Sequence, residues 1–226
     1  MMGHTDKEFD QELATLADRL VKMGARASEQ IALAMRALTE RHDDLARQVV
    51  TGDTIIDRDE VEIDALAMQI LAQRQPVATD LRFITMALKF VVDVERIGDL
   101  ACGIAKRALE VNRLPVLDSR IDLNKMASLV QKNLHLALDS FARRDADQAA
   151  EVIKCDLEID RVNANLFAEL LAHLATDPST VTRVLPLTSV CRYLERIGDH
   201  VKNIAEDVIF LARGVNVRHR GAVPQG

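Results

Sequence analysis

The chain has 226 residues, 48% of them hydrophobic and 28% charged, a balance that supports a globular core and excludes a disordered or fibrous protein. Against 35 Asp and Glu stand 29 Lys and Arg, so the net charge of −6 offers no basic footprint for nucleic acid or an anionic membrane. Glycine (9) and proline (5) are scarce, Trp is absent and Tyr occurs once, so few turns and few sheet formers predict an all-α chain.

The first apolar-periodic run begins after Thr5 and ends near Arg41. A second covers about residues 43–74; Gln75-Pro76-Val77-Ala78-Thr79 then breaks the pattern before a third run to about Arg113, with Thr79 as its expected N-cap. The proline-bearing connector Leu114-Pro115-Val116-Leu117-Asp118-Ser119 follows, in which Asp118 or Ser119 can cap a fourth helix over about 120–144. The fifth and sixth runs span about 146–176 and 178–213, with Asp177 as N-cap and Pro178 as first helical residue. Pro186 is the misfit: within the last run it removes an i to i−4 bond, predicting a kink or a delayed start. Residues 214–226 lack apolar periodicity and are expected to form a loose tail.

The pattern repeats. Glu95-Arg96-Ile97-Gly98-Asp99 recurs as Glu195-Arg196-Ile197-Gly198-Asp199, and the match extends to Ile104-Ala105 against Ile204-Ala205. Upstream, Gly52-Asp53-Thr54-Ile55-Ile56-Asp57-Arg58 aligns with Cys155-Asp156-Leu157-Glu158-Ile159-Asp160-Arg161. An internal duplication accounts for both. Long helices with short links pack antiparallel, so 1–114 and 115–213 are expected to be two pseudo-symmetric antiparallel three-helix bundles. Ile97, Ala101, Ile104 and Ala108 supply one apolar helix face.

At ~100° per residue, Glu95 and Asp99 sit side by side on the face opposite Ile97, as do Glu195 and Asp199 in the second half. On the preceding helix Asp53 with Asp57, and Asp156 with Asp160, have the same i, i+4 spacing; Glu60 and Asp64 continue the first stripe. Like charges so placed destabilise a helix, and a cation would relieve them. Carboxylates without His or Cys suit hard ions rather than zinc or copper. Ordinary helix salt bridges can instead neutralise part of the charge: Arg96 precedes Asp99 by three residues, Arg192 precedes Glu195 by three, and Lys202 follows Asp199 by three.

Other signals are weak. The histidines form no i, i+3 or i, i+4 pair and no E-x-x-H, which disfavours a ferritin-like oxidase; nucleotide, hydrolase and metalloprotease motifs are missing. Cys102, near the acidic face, is expected to pack as a small hydrophobe. Three cysteines with no C-x-x-C suggest reduced thiols in a cytoplasm, and no apolar stretch approaches a membrane span or a signal peptide.

The paired ERIGD motifs, the segment Arg74-Gln75-Pro76-Val77-Ala78-Thr79-Asp80-Leu81-Arg82 and the Gly52-Asp53 pair resemble the PhoU family, over about residues 10–213. The resemblance implies two pseudo-symmetric three-helix bundles and no catalytic activity. It further implies a cytoplasmic adaptor between the phosphate ABC transporter, with its ATPase subunit, and a membrane sensor histidine kinase, keeping phosphate-starvation genes off when phosphate is plentiful. The family's E(D)xxxD motifs, which bind multinuclear metal clusters, carry over onto Glu95, Asp99, Glu195 and Asp199, and on the preceding helices onto Asp53, Asp57, Asp156 and Asp160. Iron, manganese or magnesium are the expected ions. The second half has fewer acids, since Glu60 and Asp64 align with Asn163 and Phe167. A homodimer that meets the membrane only through partners is expected. The competing reading is a carboxylate-ligated metal-dependent enzyme or a metal-storage bundle.

Overall fold

The computed structural model describes residues 3–117 and 121–217. Among them are six α-helices, one short 3-10 turn and no strand. The helices are α1 (Gly3–Thr39), α2 (Asp43–Arg74), α3 (Ala78–Val111), α4 (Leu123–Arg143), α5 (Ala146–Thr176) and α6 (Val181–Arg213). α1, α2 and α3 pack mutually as one antiparallel bundle, and α4, α5 and α6 as its pseudo-symmetric counterpart. The bundles meet through α3 against α6 and α1 against α4, while α2 and α5 each stay with their own bundle. The all-α, twin-bundle fold is therefore as predicted.

Periodicity explains the core. Ile97, Ala101, Ile104 and Ala108 are all fully buried, and their counterparts Ile197, Val201, Ile204 and Val208 are too. An aromatic group ties the bundles together: Phe141 of α4 lies 4.7 Å from Phe90 and 6.2 Å from Phe83, centroid to centroid, both on α3. Between α3 and α6, Asp93 Oδ1 accepts from Asn203 Nδ2 at 3.1 Å and lies 2.8 Å from His200 Nδ1. By pseudo-symmetry the equivalent pairing is Tyr193 with Gly103, where the phenol ring lies over the glycine; a Cβ added there would sit 3.1 Å from Tyr193 Cε2. A polar pair on one side of the pseudo-axis is thus replaced by a large-small pair on the other.

The helix ends show how far local signals carry. Arg41 and Arg144, pseudo-equivalent, both take the left-handed conformation in the turns after α1 and α4. Arg41 Nη2 donates to the carbonyls of Val111, Asn112 and Leu114, closing the end of α3. Asp145 caps α5, its Oδ1 accepting from the amides of Asp147 and Gln148. Three local expectations change. Thr79 lies inside α3, whose N-cap is Val77 with no side-chain bond, because the chain enters the helix from an extended Val77. α4 begins at Leu123 with Asp122 as its cap; Asp118 and Ser119 lie outside the described residues. Pro178 opens a 3-10 turn, Pro178–Thr180, capped by Asp177, and α6 follows at Val181. Pro186 neither delays nor ends α6, which runs on to Arg213. Of the expected tail, Gly214 provides a left-handed cap and Val217 packs against the core; residues 218–226 lie outside the described residues.

Candidate functional site

Each residue of the repeated ERIGD motif has a separate physical task. Ile97 and Ile197 anchor the helix in the core. Gly98 and Gly198 let it approach its neighbour: a Cβ at Gly98 would lie 2.9 Å from Ile56 Cδ1 on α2, and one at Gly198 would lie 3.4 Å from Ile159 on α5. Ile56 and Ile159 are themselves pseudo-equivalent. The close approach brings the acids of α3 against those of α2, and those of α6 against those of α5.

In the first bundle Asp53, Asp57, Glu60 and Asp64 of α2 face Glu95 and Asp99 of α3. Glu95 is more enclosed than a surface acid, its side chain 14% exposed against 45% for Asp99. Burial pushes its carboxyl up to about 7; Asp99 adds to the effect, Arg96 opposes it, and Glu60 and Asp57 contribute further. Burial also raises Asp53, Glu60 and Asp64, with Asp57 and Asp99 reinforcing the first of these and Asp64 reinforcing the second. Arg96 lies outside the cluster and partly neutralises it, as its spacing predicted, with Nη1 2.9 Å from Asp99 Oδ2 and Nε 3.4 Å from Glu95 Oε2. Cys102 is buried as expected, and it also lies beside the acids: burial and then the Asp53 carboxylate raise its thiol. Neither Glu95 Oε2 nor Asp64 Oδ1, both buried, has a hydrogen-bond partner.

The second bundle brings Asp156 and Asp160 of α5 to Glu195 and Asp199 of α6. Burial raises Glu195, followed by Asp199, Asp160 and Asp156; burial likewise raises Asp199, with Asp156 next. Lys202 opposes the rise at Asp199, as its spacing predicted, but its ion pair lies elsewhere. Its Nζ lies 2.9 Å from Asp156 Oδ2 on the neighbouring helix, and that carboxylate is only 3% exposed. Asn163 and Phe167, standing where the first bundle has Glu60 and Asp64, line a cavity of about 460 Å³ together with Arg192, Tyr193 and Glu195. Sequence reasoning thus paired Lys202 with its own helix, whereas burial of Asp156 on α5 decides the contact.

All eight candidate ligands therefore fall in two groups of four, each group spanning two helices of one bundle. Among the described residues no three His, Cys, Asp or Glu side chains converge into a ready-made metal cage. The donor set is nonetheless all-carboxylate, suited to a hard cation; Asp64 Oδ1 has no hydrogen-bond partner, and Glu95 Oε2 has none beyond its 3.4 Å ion pair with Arg96. The first group fits such an ion on those grounds, provided the ion draws the side chains together.

A duplicated pair of three-helix bundles, each carrying carboxylates where two helices meet, defines the class. Consistent with it, a model of the PhoU domain matches residues 20–108 and again 123–208. The chain belongs to the PhoU family. A relative from Pseudomonas aeruginosa, named phosphate-specific transport system accessory protein PhoU homolog, is 41% identical over 96% of this chain and 90% of its own length. The Escherichia coli K12 protein named phosphate-specific transport system accessory protein PhoU is 32% identical over 96% of this chain and 90% of its own. The crystal structure of PhoU from Pseudomonas aeruginosa superposes with a TM-score of 0.89 at 40% identity, covering 92% of this chain and all of that one. That of the phosphate transport system regulatory protein PhoU from Streptococcus pneumoniae gives 0.85 at 27% identity, over 92% and 99%.

Proposed function

We propose that the protein is a non-catalytic accessory regulator of phosphate uptake, acting in the cytoplasm as an adaptor between the phosphate ABC transporter and the sensor histidine kinase of the phosphate-starvation response. The observation that carries this reading is family membership along nearly the whole chain, with relatives of similar length named for phosphate-specific transport. No helix among the described residues is long and apolar enough to cross a membrane, which suits attachment to the membrane through partners. Exposed apolar side chains on the outer helices, Val61 and Met68 on α2 and Leu157 and Phe167 on α5, support contacts with other proteins and with a second copy.

Within this reading, Glu95, Asp99, Asp53 and Asp57 hold iron, manganese or magnesium in the first bundle, and Glu195, Asp199, Asp156 and Asp160 are the corresponding residues of the second. A bound cation would neutralise the facing acids and strengthen the α2–α3 contact. The test has two arms. In cells, deletion is expected to make phosphate-responsive genes constitutive, and the purified protein to bind the transporter ATPase and the cytoplasmic part of the kinase. Normal repression in the deletion strain, with neither partner bound, would refute the adaptor role. In vitro, Mn²⁺ at a hundredfold excess over Kd stabilises the fold by about 2.7 kcal/mol, and chelator reverses this. Identical melts with metal and with chelator would remove the metal from the proposal.

A further inference from the structure

The two acidic clusters differ at one position that both occupy equivalently. Three residues after the ERIGD aspartate, the first bundle has Cys102 and the second has Lys202. Cys102 is a buried neutral thiol, whereas Lys202 gives Asp156 a full positive charge at 2.9 Å. One turn further on the charges are exchanged: the first bundle has Lys106 and the second has Glu206. The acids differ too. The first cluster has Glu60 and Asp64 where the second has Asn163 and Phe167. Among the described residues, the buried carboxylate oxygens that lack a hydrogen-bond partner, Glu95 Oε2 and Asp64 Oδ1, both lie in the first cluster.

We propose that Lys202 is a built-in counterion that makes the clusters unequal: the first bundle takes up the metal, and the second is neutralised by the protein's own ammonium. The inference rests on the metal reading above and concerns how that reading divides between the halves. Asp156 is almost fully buried, so its pairing with Lys202 is retained in preference to an uncompensated buried charge. A divalent ion entering the second cluster must displace the ammonium, or sit beside it against charge repulsion. In the first cluster it finds six carboxylates spread along two facing helices, with Arg96 on the outer side and Lys106 one turn beyond Cys102, but no ammonium paired with the buried acids as Lys202 is with Asp156. The metal is thus selected by one half of a duplicated scaffold, and the other half keeps the same helix packing without one.

Mn²⁺ binding to the full chain, measured as free Mn²⁺ by electron paramagnetic resonance, tests this. One class of tight sites is expected in the wild type, lost in Glu95→Gln with Asp99→Asn and retained in Glu195→Gln with Asp199→Asn. Lys202→Met should add a second class at least tenfold tighter than anything the second bundle shows in the wild type. Since that variant leaves Asp156 unpaired and can unfold, the reciprocal Cys102→Lys supplies an independent arm: it should weaken the first class at least tenfold. Equal loss of Mn²⁺ from the two acid-pair variants, or wild-type binding by Cys102→Lys, overturns the proposal while leaving metal binding intact. Absence of any Mn²⁺ bound to the wild type overturns the metal reading, and the proposal with it.

Discussion

Replacing the two ERIGD glycines by alanine should move stability in opposite directions, although the motif is identical around them. In a helix interior, alanine is favoured over glycine by about 0.5–1 kcal/mol. At Gly198 the added methyl meets Ile159 and Asp156 Oδ1 at 3.4 Å, an ordinary contact, so Gly198→Ala should stabilise by about 1 kcal/mol. At Gly98 the methyl lies 2.9 Å from Ile56 Cδ1 and 3.3 Å from Cγ2. Such overpacking typically costs about 1–3 kcal/mol, which outweighs the propensity gain and leaves a loss of about 1 kcal/mol. Urea unfolding of both variants should therefore separate them by about 2 kcal/mol. Ile56→Val, which removes Cδ1, should be less harmful beside Gly98→Ala than alone, giving a coupling of about 1 kcal/mol. If Gly98→Ala proves as stable as Gly198→Ala, or the Ile56→Val effect is simply additive, the close approach of α2 and α3 does not depend on this glycine.

The raised carboxyl of Glu95 makes the metal-free protein sensitive to pH. Its folded value of about 7 lies above the unfolded 4.5, so its contribution to stability is complete below about pH 4.5 and is lost as pH rises through 7. Denaturant midpoints without metal should fall between pH 5 and 8, and Glu95→Gln should flatten the fall; an unchanged slope in that variant would remove Glu95 as the source. Arg41→Ala gives up the bonds to the three carbonyls at the end of α3 and should cost about 2 kcal/mol by equilibrium unfolding. Asp145→Ala, which leaves two amides at the start of α5 without their acceptor, should cost about 1 kcal/mol in the same assay.

Helix identity and the buried face were legible because they depend on spacing within one segment: Ile97, Ala101, Ile104 and Ala108 sit in the core as their period requires. The partnership of α2 with α3 and of α5 with α6 was legible through the duplicated acids. What spacing could not supply was register between helices. Lys202 sits three residues from Asp199, yet pairs with Asp156 across the interface, because the buried carboxylate needs a counterion more than the exposed one does. The Cys102 thiol, read as packing, is buried and also lies beside Asp53, because only the assembled pair of helices places them together. Thr79 looked like a cap by residue type, but the helix begins before it, and no side chain is called on at Val77.

The pseudo-symmetry also shows which differences between the halves bear on the acids beside the repeated motif. Changes in the core stay apolar, Val201 and Val208 standing where the first half has Ala101 and Ala108, in a scaffold whose bundles lean on each other through α3 and α6. The acidic faces tolerate exchange more readily, provided each buried charge keeps a partner. Thus the replacement of Cys102 by Lys202 in the second half accompanies the change of Glu60 and Asp64 to Asn163 and Phe167, removing two acids and bringing an ammonium onto Asp156, while Lys106 gives way to Glu206 one turn on. Both changes reduce the need for an outside cation there, while Gly198 and Ile159 preserve the helix approach that Gly98 and Ile56 make in the first half. Duplication in this chain has therefore kept the device that brings acids together and altered what neutralises them.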